Sequence, residues 1–108
     1  MSDPVVFLSA LGAPRDAERI ARALVDERLA ACVNIVPGVV SIYRWKGNVE
    51  QEPELILMIK TLADRVDALK KRLLELHPYE LPEVVVLPIG GGHGAYLEWI
   101  AQQVRPLP

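Results

Sequence analysis

Residues 31–45 read ACVNIVPGVVSIYRW, and residues 52–61 read EPELILMIKT. The first stretch is β-branched and aromatic, a composition that fits a pleated strand. Pro37-Gly38 interrupts it. Proline cannot donate to a central ladder, so this pair predicts a bulge or bend at a sheet edge. KGN at 46–48 reads as a turn and 52–61 as the returning strand, which together make a hairpin. The first strand would extend about 45–50 Å at ~3.3 Å per residue. A typical strand is roughly 17–20 Å long. Its outer half carries Val39, Val40, Ile42, Tyr43 and Trp45, apolar on both faces. A long apolar edge left open invites aggregation. The simplest cover is another subunit, so the hairpin predicts a homo-oligomer in which hairpins pair between neighbours.

Working outward, VVFLSA (5–10) is a β-rich run closed by Gly12 and Pro14. Pro14 suits the first turn of a helix, where its missing N–H costs nothing. Ala17, Ile20, Ala21, Leu24 and Val25 follow at helical spacing, which predicts a helix over roughly residues 14–28. Thr61, with Asp64 three residues on, resembles an N-cap with an acidic partner. Leu62, Val66, Leu69, Leu73 and Leu76 then predict a second helix over 62–76, stopped by Pro78. EVVVLPI (83–89) is a strand, and GAYLEWIAQQV (94–104) a short third helix. The order β-α-β-β-α-β-α predicts an α+β, ferredoxin-like split arrangement with an antiparallel sheet and an extra C-terminal helix. Right-handed crossovers place the first and third strands centrally, the second and fourth at the edges, and both crossover helices on one face.

The bulk composition narrows the function classes. The 108 residues predict one domain spanning 1–108. Apolar residues make up 51% and charged residues 24%, the balance of a folded soluble protein. The formal net charge of -2 comes with no Lys/Arg stripe, which argues against nucleic acid and anionic membranes as partners. Cys32 is the one cysteine, so no internal disulfide forms. The N-terminus lacks a basic n-region, and no apolar run is long enough to span a bilayer. These features read as a cytoplasmic protein.

HPYELPE (77–83) and GGGHG (90–94) hold both histidines of the chain. His77 has two readings. One is a helix C-terminal residue favoured by the helix dipole; the other is a metal ligand, since imidazole suits Zn, Cu and Ni. A site built from both histidines would need Glu80, Glu83 or a neighbouring subunit to complete it. The glycine loop lacks the Lys-Ser/Thr of a P-loop and reads as a connection with an exposed His93. Cys32 reads as a buried structural thiol. Tyr43, Trp45, Tyr96 and Trp99 are candidates for core, subunit interface or pocket walls. Glu50, Glu52, Glu54 and Lys60 cluster on the hairpin, as a solvated face or as the lining of a cleft. No Ser-His-Asp series, paired carboxylates or zinc motif points to an enzyme.

Three segments taken together, ACVNIVPGVVSIYRWKGNVEQEPELILMIKT, HPYELPEVVVLPI and YLEWI, resemble the CutA family of divalent-cation tolerance proteins. The resemblance runs nearly the whole chain in order. It implies a ferredoxin-like fold assembled as a homotrimer through long hairpin strands. It also implies a cytoplasmic protein tied to tolerance of copper and other divalent metal ions. The trimer resembles that of the PII signalling proteins, so the alternative is a PII-like module binding a small ligand or partner in an inter-subunit cleft. In members credited with copper binding, ligands come from a cysteine ending the first strand and paired histidines before Pro-Tyr. The matching positions here are Ser9 and Leu76-His77. The expected metal ligand is therefore His77, with Glu80 assisting. The expected cleft is lined by Tyr43, Trp45, Glu50, Lys60, Tyr79 and Trp99.

Overall fold

A computed structural model describes residues 2–105. The elements run β1 (Pro4–Leu11), α1 (Pro14–Asp26), β2 (Cys32–Trp45), β3 (Asn48–Leu62), a 3₁₀ turn (Ala63–Arg65), α2 (Val66–Leu76), β4 (Val85–Pro88) and α3 (Gly94–Val104). The four strands form one antiparallel sheet in the order β2-β3-β1-β4. The first and third strands are central, as the right-handed crossovers require. The fold is the α+β ferredoxin-like split β-α-β arrangement with a third, C-terminal helix.

Each helix follows from its apolar stripe. Pro14 sits in the first turn of α1, and Ala17, Ile20, Ala21 and Leu24 point inward. The alanines let α1 approach the sheet closely. Leu69 and Leu73 do the same for α2. These helices cover one sheet face, where Phe7, Leu11, Leu55, Leu57 and Ile59 pack against Ile20, Leu24, Leu69 and Leu73. Each such side chain, buried fully, contributes about 1.5–3 kcal/mol. Helix α3 lies on the other face, where Ile100 and Val104 pack with Ala31 and Leu62. It covers only the end of that face near Lys60 and Leu62; Met58, Val85 and Leu87 stay exposed.

Two local expectations are corrected. Thr61 does not cap α2. It belongs to β3, paired with Val5, and its buried hydroxyl donates to the Leu29 carbonyl at 2.8 Å. The residue at the cap of the 3₁₀ turn is Leu62, with no side-chain cap bond. Strand β3 also starts at Asn48 rather than at Glu52. The connection is a two-residue turn, with Trp45 opposite Asn48 and positive φ at Lys46 (49°) and Gly47 (86°). Positive φ at both central residues is the pattern of a type I′ turn, whose twist matches the flanking strands.

The hairpin dominates the shape. The described chain measures 47 × 27 × 21 Å. Strand β1 pairs with β3 only from Leu55 to Leu62, so the outer half of the hairpin has no third strand beside it. A register shift lies between Val36 and Val39, where Pro37-Gly38 was expected to bend the strand. Gly38 sits at φ 77°, a region L side chains rarely adopt.

Candidate functional site

Strand pairing and the turn after α2 bring the candidate residues into two separate places. The first is where the hairpin emerges from the core. Helix α2 ends at Leu76, and His77 turns back under β1, only 7% exposed. Its Nε2 donates to the Ala10 carbonyl at 2.8 Å, and its Nδ1 accepts from the Tyr79 N–H at 3.1 Å. A carbonyl only accepts, so this pair of bonds defines a neutral ring protonated on Nε2. The His77 and Tyr79 rings meet edge to face at 4.8 Å. The Tyr79 hydroxyl then donates to Glu54 Oε2 at 2.6 Å.

Tyr79 holds its phenolic proton strongly. Burial raises its pKa well above the usual tyrosine value, and the bond to Glu54 and that carboxylate's charge add to the effect. Tyr43 is shifted the same way, by desolvation first and then by the charges of Glu52, Glu54 and Glu50. Register explains that cluster. Tyr43 pairs with Glu50 and Ser41 with Glu52, so the three glutamates and Tyr43 share one face of the hairpin. Toward the tip, the Lys46 ammonium lies 5.5 Å from the Trp45 ring centroid and 3.6 Å from Glu80 Oε2. Both Lys46 and Glu80 are about 70% exposed, so this ion pair adds little.

The second place is the α3 side of the sheet. Lys60 Nζ donates to the Tyr96 hydroxyl at 3.3 Å and lies 5.6 Å from that ring's centroid. Tyr96 and Trp99 stack at 5.5 Å with their planes 26° apart. Tyr96 was not assigned to the cleft. Its spacing of three from Trp99, which puts both on one helix face, is the signal that identifies it.

The remaining candidates stand apart. His93 is exposed and precedes α3 without a side-chain cap bond. Cys32 is a free, half-buried thiol 3.7 Å from Asn34 Oδ1, less enclosed than expected. Ser9 is fully buried on the face of Phe7 and Leu11, and its hydroxyl has no hydrogen-bond partner among the described residues. No group of three or more His, Cys, Asp or Glu among the described residues is arranged to hold a metal ion. His77 and Glu80 therefore come without a third such donor in one protomer. No helix among the described residues is long and apolar enough to cross a membrane.

A split β-α-β sheet with an overlong hairpin and a His-Pro-Tyr-Glu turn beneath it defines a class, and comparison with known proteins agrees. The family model described as CutA1 divalent ion tolerance protein matches residues 5–103. The chain belongs to the CutA1 family. It is 55% identical over 86 residues to the divalent-cation tolerance protein CutA of Thermus thermophilus, covering 80% of this chain and 84% of that one. It spans about half the length of the mammalian relatives it matches, 49% of the mouse protein CutA and 48% of the human one. The crystal structure of CutA from Xylella fastidiosa superposes with a TM-score of 0.93 at 45% identity, over 96% of this chain and 100% of that chain. A structure titled PII-like protein CutA from Nostoc, in apo form, superposes with a TM-score of 0.87 at 43% identity, over 94% and 97%.

Proposed function

We propose that this protein is a cytoplasmic homotrimer, one domain per chain, that takes part in divalent-cation tolerance by binding the ion, copper among the candidates. It is read as a binding protein and not an enzyme, with neither nucleic acid nor a membrane as partner. The observation that carries the reading is the outer hairpin. Val40, Ile42 and Val49 are 60%, 67% and 64% exposed on a paired ribbon with no third strand. Such a ribbon is marginal alone and needs a covering surface. Three copies, each offering a hairpin, supply it.

His77 and Glu80 are the proposed ligands. For His77 to bind a cation, Nδ1 must release the Tyr79 N–H, and Glu80 must leave Lys46. Binding is then weak and coupled to the 77–83 loop. Light scattering on the purified protein should report a trimer at micromolar concentration. Calorimetry with Cu(II) should show binding that weakens in His77→Ala. Identical isotherms remove His77 from the role, and no heat with any divalent ion overturns the cation reading.

The distribution of the cleft residues favours a second reading, a PII-like module. Tyr43, Glu50 and Tyr79 lie on the hairpin side, whereas Lys60 and Trp99 lie at α3, so one ligand would touch all of them only across subunits. The name of the Nostoc relative supports this reading. A metabolite screen by thermal shift should then find a stabiliser whose effect disappears in Lys60→Met. A screen without one counts against it.

A further inference from the structure

A concave site lies at the far end of β3 from the hairpin tip. There the 3₁₀ turn and the last turns of α3 border a cavity of about 380 Å³. Small-molecule pockets begin at roughly 300 Å³ and combine an apolar lining with a few placed polar groups. Leu62, Ala101 and Val104 form the apolar wall of this one, and Ser2, Asp64, Arg65 and Arg105 its polar wall. The turn is fastened to the N-terminal segment. The Ala63 N–H donates to the Asp3 carbonyl at 2.7 Å, and the Asp64 N–H to the Ser2 hydroxyl at 2.8 Å. Because the Ser2 oxygen accepts that bond, its own proton is left to donate.

The charges around the cavity are unevenly matched. Arg105 pairs with Glu98 at 3.5 Å. Asp64 and Arg65, neighbours on the turn, make no ion pair among the described residues, not even with each other. Arg65 is half-buried, and its Nη2 makes only a long bond, 3.4 Å, to the Arg28 carbonyl. Its Nε is buried without an acceptor. Native structures rarely leave such a donor unsatisfied. Arg28 does not neutralise it, since that side chain is itself a cation and donates to the Gln103 carbonyl at 3.2 Å. An unpaired guanidinium, an unpaired carboxylate and a free hydroxyl proton thus stand beside an apolar wall.

We propose that this cavity binds a free α-amino acid with an apolar side chain, such as leucine. The ligand carboxylate meets Arg65 and the Ser2 hydroxyl, its ammonium meets Asp64, and its side chain covers Leu62, Ala101 and Val104. Arg65 turns outward to do so. It gives up the long bond to Arg28 and brings Nε and one Nη onto the two carboxylate oxygens, the bidentate arrangement a guanidinium favours. A plain carboxylate would be repelled by Asp64, and a plain amine would leave Arg65 unmet. None of the lining residues belongs to the proposed cation site or to the expected cleft, so the proposal stands apart from both.

Titration of the full chain with L-leucine, followed by amide NMR and calorimetry, tests it. Saturable amide shifts should concentrate in residues 62–65 and 101–105. Arg65→Met should weaken leucine roughly tenfold or more, the usual effect of losing a hydrogen bond between charged groups. Asp64→Asn should also weaken leucine, yet bind isocaproate, which is leucine without its ammonium, at least as well as wild type does. A merely structural role for Asp64 would move both ligands alike. The urea midpoint reports whether each variant is folded. Where Arg65→Met unfolds the chain, Arg65→Lys replaces it and should still weaken leucine, because it keeps the charge and loses the fork. No saturable shift with leucine, valine or methionine overturns the proposal, and so does saturation away from these amides. Wild type that binds isocaproate as tightly as leucine overturns the amino-acid assignment. Leucine binding seen only in a chain ending at Arg105 gives the cavity to residues 106–108 and also overturns it.

Discussion

Ser9→Ala should make the protein more stable. Ser9 lies in central strand β1, fully buried, and its hydroxyl has no partner among the described residues. Burying a hydroxyl without a hydrogen bond costs about 1–3 kcal/mol by mutational measures. Removing it leaves a void the size of one oxygen, on the order of 10 Å³, which at about 24 cal/mol per Å³ costs only ~0.2 kcal/mol. The net expectation is a gain of about 1–3 kcal/mol. The chain supplies its own control in Thr61, equally buried, whose hydroxyl donates to the Leu29 carbonyl at 2.8 Å. Thr61→Val keeps the shape, removes that bond and should lose about 1–3 kcal/mol. Urea unfolding at matched protomer concentration measures both, because assembly makes apparent stability depend on concentration. A shift in midpoint at constant slope reports stability alone. If Ser9→Ala loses 1 kcal/mol or more, the hydroxyl has a partner and the reasoning about an orphaned donor fails. If both variants move the same way, burial rather than hydrogen bonding governs these sites.

Three further expectations follow from the geometry. Gly47→Ala places a Cβ at φ 86° in the hairpin turn and should cost about 1–2 kcal/mol, read as a lower urea midpoint. Tyr79 keeps its proton in the folded state at pH values where the unfolded phenol, near 10, has lost it. The folded state then binds more protons, so stability is flat below about pH 10 and falls above it. Tyr79→Phe should lessen that alkaline loss, and the Tyr79 phenolate band should appear only above the ordinary tyrosine range; a normal titration would contradict the enclosure by burial and Glu54. His77→Ala removes two hydrogen bonds and a buried ring and should cost about 2–4 kcal/mol even without metal. A loss under 1 kcal/mol would mean that the ring does not tether the 77–83 loop.

The strand order was legible because two crossovers and a hairpin leave few alternatives. The bend at Pro37-Gly38 was legible because proline and glycine carry fixed backbone meanings. The errors came where tertiary pairing overrides local chemistry. Thr61 has the sequence context of a cap, yet β1 claims its backbone and Leu29 its hydroxyl. Val49, Glu50 and Gln51 fall outside the strand expected at 52–61, yet each faces a residue of β2. At the site, residue types were easier to read than positions. The motif His-Pro-Tyr-Glu marked the right turn, but nothing in it shows His77 reaching the Ala10 carbonyl, 67 residues earlier in the chain. Nor did the motif show that Lys60 and Glu50 lie at opposite ends of the same strand.

The register shift has a consequence for the phase of β2. Val33 and Ile35 face Ile59 and Leu57 on the helix-covered side. Between Val36 and Val39, β2 advances one residue more than β3, so odd and even positions exchange sides. Beyond it Val40 and Ile42 share a side with Pro53 and Gln51, whereas Ser41 and Tyr43 stand with Glu52 and Glu50. Deleting Gly38 would shorten the strand by about 3.3 Å, a small change in length. The pairing would survive, because the deletion takes out the one residue by which β2 exceeds β3: Val40 and Ile42 would still stand beside Pro53 and Gln51, and Tyr43 beside Glu50. The extra residue thus sets the bend and twist of the projecting arm, while the pairing with β3 decides which side its valine, isoleucine and tyrosine take.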